Sequence, residues 1–194
     1  MCDIIKMCIK IFTFIKDEEL LLEDWILYHS KICGMNNIYI VDNLSSDKTK
    51  DILKKYIFYG LNVIYGYEHY SNKGIFLTKI MNLEKRNTKF LIPLDGDEFI
   101  ALVENGEVVC DYKKIRNYII NLEFTGAKYM FKYFLSSIPY KKYHADPLVE
   151  ISNFSKNLEN HSTMKKFFPT TTFIKTDHGN HSGIVKSKKK YNNN

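Results

Sequence analysis

Arginine is almost missing from this chain: of 28 basic residues, only Arg86 and Arg116 are arginine. Bidentate recognition of bases and phosphates favours the guanidinium fork, so a dedicated nucleic-acid reader is not expected. A lysine-rich surface of net charge +6 still attracts an anionic small molecule. Cysteine is sparse as well. Cys2, Cys8, Cys33 and Cys110 show neither CxxC pairing nor zinc spacing, which points to reduced, mostly buried thiols rather than a disulfide framework or a zinc site. No apolar run approaches the roughly eighteen residues that a membrane span needs. Asp3, Lys6 and Lys10 interrupt the apolar N-terminus, and no small-residue cleavage site follows it. A cytoplasmic chain with no membrane span is the expectation. No Pro-, Gly- and Ser-rich linker and no internal repeat divides the 194 residues, so one domain over 1–194 is expected.

The residues present read as alternating strands and helices. Met7 to Ile15 has the β-branched and aromatic content of a buried strand and stops at Asp17-Glu18-Glu19, an acidic cluster that predicts a helix start with Asp17 as N-cap. Leu22, Trp25, Ile26, His29 and Ile32 then recur at helical spacing, predicting an amphipathic helix from about Glu19 to Cys33 that Gly34 closes. His29 shares that apolar face and is read as structural. The pattern repeats with a strand from Ile38 to Val41, a polar turn from Asn43 to Asp47, and a helix from Lys48 to Tyr59 ended by Gly60. A strand from Leu61 to Tyr65, a helix from Gly74 to Lys85 and a strand from Phe90 to Leu94 follow, the last running straight into Asp95-Gly96-Asp97. This order predicts an α/β fold, a Rossmann-like α/β/α sandwich with a mostly parallel central sheet.

Past Phe99 the pattern changes. Asn105-Gly106 between apolar flanks signals a two-residue hairpin. A helix from Tyr112 to Leu122, an aromatic-rich strand from Ala127 to Leu135, a loop from Ser136 to Pro147 and short strands around Pro169 complete the reading, before a polar tail from Lys186.

Parallel α/β sheets bind ligands at the carboxyl ends of their strands. This topology sends Asp17, then Asp42 and Asp47, then Asp95, Asp97 and Glu98 to that one rim. Asp95 and Asp97 flank a glycine that permits tight curvature, and carboxylates so placed suit Mn²⁺ or Mg²⁺, hard cations that take oxygen ligands from protein and phosphate together. His178 and His181, in the Gly-containing segment near the C-terminus, suit the remaining metal or diphosphate contacts. Asp146 and Glu150 are the acids of the second half suited to a general base, and spacing does not choose between them.

The combination of EDWILYHSKICGM, VDNLSSDKT and PLDGDEF in that order resembles the family-2-like glycosyltransferases of the GT-A fold, well over Phe12 to Phe99 and weakly beyond. The resemblance implies a nucleotide-sugar donor, most simply a UDP-sugar, a glycan, protein or small-molecule acceptor, and transfer with inversion. It implies a nucleotide-sugar-binding half (1–99), an acceptor-side half (100–185) and a flexible tail (186–194). By the same resemblance, Asp17, Asp42, Asn43, Lys73, Asp95 and Gly96 line the donor site. Asp95 and Asp97 hold the metal, with His181 or His178 completing it, and Glu150 is favoured over Asp146 as base. Two other classes stay open: a nucleotidyltransferase, although the Gly-rich phosphate loop usual after its first strand is missing from IFTFIKDEE, and a non-catalytic sugar- or nucleotide-binding module.

Overall fold

β1 (Ile9–Ile15) is apolar on both faces because it lies inside a sheet covered on both sides: every residue but Lys10 is buried. The computed structural model describes residues 9–105, 107–122, 129–131, 165–171, 173–178 and 183–185. Around β1 the chain forms α1 (Leu22–Cys33), β2 (Ile38–Asp42), α2 (Thr49–Ile57), β3 (Asn62–Tyr65), α3 (Lys73–Glu84) and β4 (Phe90–Pro93). The second half contributes the hairpin β5 (Leu102–Glu104) and β6 (Glu107–Val109), α4 (Tyr112–Asn121), β7 (Tyr129–Phe131), β8 (Lys165–Pro169), β9 (Phe173–Thr176) and β10 (Gly183–Val185).

The central sheet has the order β3-β2-β1-β4-β8-β7. β1 pairs in parallel with both β2 and β4, and β2 with β3, while β8 runs antiparallel to β4 and to β7. The result is the expected α/β, Rossmann-like architecture with a mostly parallel sheet. Alternation along β1 divides the core in two. Ile9, Ile11 and Ile15 pack with Leu22, Trp25, Ile26 and Ile32 of α1, Leu53 of α2 and Ile115 and Ile119 of α4. Phe12 and Phe14 face the other way, onto Leu77, Ile80 and Met81 of α3 and Phe173 of β9. Each such large apolar side chain, fully buried, contributes roughly 1.5–3 kcal/mol.

The glycine stops act as expected. Gly34 has φ 87° and donates its N–H to Ser30 O, and Gly60 has φ 97°. Asn105 at φ 53° turns the β5–β6 hairpin. Asp111 caps α4, its carboxylate accepting from the N–H groups of Lys113 (2.8 Å) and Lys114 (3.0 Å). Arg116, one of the two arginines, works inside the fold: its guanidinium donates to the carbonyls of Lys31 and Ile32, joining α4 to the C-terminal end of α1.

The start of α1 corrects the sequence reading. The helix begins at Leu22, and Leu21 at the N-cap position offers no side-chain cap. Asp17 cannot serve there because it sits at φ 55° and its carboxylate is bonded to Ser46, 29 residues away. The aromatic strand is seen at Tyr129–Phe131, and the short strands around Pro169 are β8 and β9. The loop expected from Ser136 to Pro147 and the tail from Lys186 lie outside the described residues.

Candidate functional site

After β1 the chain moves to β2 and β3 on one side, then returns to β4 on the other side of β1. Strand order therefore reverses between β1 and β4, and the region past the carboxyl ends of these strands is the usual position for a ligand in an open α/β sheet. The last sheet-type bond there runs from Leu94 N–H to Phe12 O at 2.9 Å. Beyond it the chain turns through Asp95-Gly96-Asp97-Glu98. Glu98 N–H donates to Asp95 O (3.2 Å), and the Glu98 carboxylate accepts from Asp95 N–H (2.8 Å), so the turn is closed reciprocally. A Cβ added at Gly96 would lie 3.1 Å from Ile15 and 3.5 Å from the Glu18 side chain, so the glycine lets this turn press against the end of β1.

The contact brings carboxylates together. Burial raises the Glu18 carboxyl above its ordinary range, and the negative charges of Asp97, Asp47, Asp95 and Asp17 raise it further. The counter-charge comes from α3. Lys73, 2% exposed at the first position of that helix, forms an ion pair with Asp95 Oδ1. Its ammonium also lies 5.7 Å from the Tyr70 ring centroid, and the Tyr70 and His178 rings meet in a T-shaped contact with centroids 4.6 Å apart. Gly74 makes this approach possible, since a Cβ on it would stand 2.5 Å from the Asp177 carbonyl. Thr176 N–H donates to Thr78 Oγ1 (3.1 Å) and Asn82 Nδ2 to Ile174 O (3.1 Å), fastening β9 along α3 and carrying His178 to the rim.

Asp42 ends β2 with 0% exposure. Its Oδ1 accepts from the backbone N–H (3.1 Å) and hydroxyl of Ser45, whereas its Oδ2 is buried with no hydrogen-bond partner. Such an orphaned oxygen is a standing demand for a donor. Beside it, Asn43 Oδ1 accepts from Glu68 N–H (2.8 Å), and Tyr65 has its hydroxyl pKa raised by burial and by the Asp42 charge. Asp17 is exposed, and its Oδ1 accepts from Ser46 N–H at 2.6 Å, which lowers its pKa.

Of the residues singled out from sequence, the fold thus gathers Asp17, Asp42, Asn43, Lys73, Asp95, Gly96 and Asp97 along the ends of β1, β2 and β4, with His178 reached through Tyr70. His181, Asp146 and Glu150 lie outside the described residues. Among the described residues no three His, Cys, Asp or Glu side chains converge to hold a metal ion. Sequence reasoning missed Glu18 as a rim carboxylate, because the cluster Asp17-Glu18-Glu19 read as a helix first turn. The bond from the Glu98 side chain to Asp95 N–H has no signal in residue type or spacing.

No family model matches the sequence. No curated protein sequence matches it either. Among solved structures, S. aureus TarS 1-349 in complex with UDP is similar at 20% identity and a TM-score of 0.36, over 47% of this chain and 28% of that one. The mannosyltransferase PcManGT from Pyrobaculum calidifontis, in complex with GDP-Man and Mn²⁺, is similar at 13% identity and a TM-score of 0.41, over 62% and 34%. The 4-diphosphocytidyl-2C-methyl-D-erythritol synthase from Anaerococcus prevotii is similar at 13% identity and a TM-score of 0.46, over 88% and 74%. The chain spans about a third or less of the first two of these proteins. Among the described residues no helix is long and apolar enough to cross a membrane.

Proposed function

We propose that the protein is a glycosyltransferase of the GT-A type that moves a sugar from a nucleoside diphosphate, most simply a UDP-sugar, to an acceptor hydroxyl with inversion at the anomeric carbon. The observation that carries this reading is the carboxylate turn Asp95-Gly96-Asp97 at the point where strand order reverses, backed by the buried Lys73 ammonium. A diphosphate leaving group needs positive charge on one side and a cation-holding acid on the other. Here the turn offers the acids, and Lys73 at the start of α3 brings the positive charge against them.

The donor set at the turn is all oxygen, which fits Mn²⁺ or Mg²⁺ and not a thiophilic ion. Two protein carboxylates, Asp95 and Asp97, are too few for a closed site, and they suit an ion that is shared with substrate phosphates and water. When bound, the ion would neutralise charge on the departing diphosphate. His178, or His181 from outside the described residues, is the further ligand in this reading. Lys73 faces the diphosphate, Asp42 Oδ2 with Asn43 takes donors of the nucleoside, and Asp17 borders that pocket. Glu150, with Asp146 as the alternative, supplies the general base. The acidic turn Lys16-Asp17-Glu18 after β1 suits a nucleotidyltransferase poorly, because a triphosphate there would meet carboxylates where that class places backbone N–H groups.

A thermal-shift panel of nucleoside di- and triphosphates with and without Mn²⁺ tests the assignment. Stabilisation by UDP or GDP only when metal is present is the expected result, by about 2.7 kcal/mol at a hundredfold excess over Kd. Stabilisation by triphosphates alone would move the assignment to nucleotidyl transfer. No response to any nucleotide would overturn it.

A further inference from the structure

The carboxylate turn leaves the sheet at Leu94, and from there to Ile100 no strand pairing holds it. The reciprocal bonds between Asp95 and Glu98 close the turn on itself without fixing its direction. Lys73 of α3 reaches the Asp95 carboxylate, and the main chain on the far side of the turn is met by one face of α1. The Trp25 indole N–H donates to Glu98 O at 2.8 Å, and the Tyr28 hydroxyl donates to Ile100 O. Between these anchors the Phe99 ring lies stacked on His29, with centroids 5.7 Å apart at 21°, and against Tyr28 at 5.5 Å. The His29 Nδ1–H in turn meets Trp25 O at 2.9 Å, and the Trp25 and His29 rings are 4.3 Å apart. Trp25, Tyr28 and His29 sit at i, i+3 and i+4, with exposures of 0%, 6% and 0%.

A purely core-forming face would be met by apolar side chains. Here two of its three aromatic residues direct polar groups at main-chain carbonyls more than seventy residues away, one on either side of Phe99. We propose that Trp25 and Tyr28 are positioning residues, which set the direction of the Asp95 and Asp97 carboxylates by clamping the carbonyls of Glu98 and Ile100. This rests on the assignment of the turn to metal-dependent nucleotide binding. α1, which touches no part of the turn's own carboxylates through these bonds, would thereby govern how well a cation is held.

Trp25→Phe and Tyr28→Phe each remove a donor and keep a ring. Tyr39→Phe is the control: it removes the 2.7 Å bond from Tyr39 to Glu84, at the opposite end of the sheet. For each protein, the Mn²⁺ midpoint would be measured at high UDP or GDP concentration, alongside thermal stability. The expected result is a Mn²⁺ midpoint raised about fivefold in each clamp variant, the effect of one lost hydrogen bond. Tyr39→Phe should lose comparable stability with no change in the midpoint. A midpoint within twofold of wild type in both clamp variants, with the wild type still responding to metal, would overturn the clamp and leave the functional assignment standing. A wild type that binds no nucleotide under any metal condition would overturn both.

Discussion

Acidification from about pH 7 to pH 5 should weaken the fold through His29. The ring is fully buried, and burial holds its pKa down to about 3 from an ordinary value of 6.5, against a smaller opposing effect of the bond to Trp25 O. Its ring neighbours are Trp25, Tyr28 and Phe99, none of which offers a negative charge that would favour protonation. The unfolded chain therefore takes up a proton near pH 6.5 that the folded chain refuses. A depressed histidine pKa means stability that is complete above about 6.5 and is lost as the pH falls toward 3. The slope approaches 1.4 kcal/mol per pH unit, so about 2 kcal/mol is gone at pH 5. Guanidinium unfolding of the wild type and of His29→Phe, at half-unit steps across this range, isolates the effect, since every other titrating group is common to both proteins. The wild-type curve should fall away from the variant's below about pH 6.5. Parallel curves from pH 7 to 5 would refute the reasoning.

Three further perturbations follow from contacts described above. Gly74→Ala places a Cβ 2.5 Å from the Asp177 backbone, so an overpacking cost of about 1–3 kcal/mol should exceed the roughly 1 kcal/mol gained in helix propensity. A variant as stable as wild type in urea would show that β9 is not pressed against α3. Asp111→Ala removes the acceptor of two backbone N–H groups at the start of α4 and should cost about 1 kcal/mol in the same assay. Lys73→Met deletes the ammonium paired with Asp95. Calorimetry should show affinity for a nucleoside diphosphate with Mn²⁺ reduced about tenfold or more, in line with loss of a charged hydrogen bond, while unfolding stays cooperative.

Much of the first half was legible because it rests on local signals. Helical spacing from Leu22 to Ile32, the stops at Gly34 and Gly60, and the apolar pentapeptide Phe90 to Leu94 before Asp95 each appear in the structure within a few residues of where the pattern puts them. Legibility failed where long-range partners decide. Nothing near Asp17 announces that Ser46 will claim its carboxylate, and so a helix cap was read where a bond between two turns exists. The antiparallel pairing of β8 with β4 depends on a segment that arrives about seventy residues later, and no periodicity records which edge it meets. Lys73 on its own reads as a surface lysine near a helix start. Its burial makes sense only opposite Asp95, 22 residues further on.

The same long-range bonds sort the acids of the rim into two groups. Asp17 Oδ1 receives Ser46 N–H, Asp47 receives Glu19 N–H and Thr49 N–H, and Glu19 receives Lys48 N–H at 3.0 Å. Asp17 N–H and Glu18 N–H are in turn taken by the hydroxyls of Ser45 and Thr49, each at 2.8 Å. The turn after β1 and the turn after β2 are thus cross-braced, each filling the other's backbone needs with its side chains, and the strain of holding Asp17 and Leu44 at positive φ is sustained by that brace. Acids occupied in this way have spent lone pairs on the scaffold. Asp97 makes no such backbone bond in these turns, the Glu18 carboxyl is raised by burial and by the charges of its neighbours, and Asp42 keeps Oδ2 without a partner. The rim thus spends some of its carboxylates on rigidity and leaves others near the buried Lys73, and under the proposed function these others are the acids that meet a ligand bringing positive charge with it. A cation shared with a diphosphate is such a ligand.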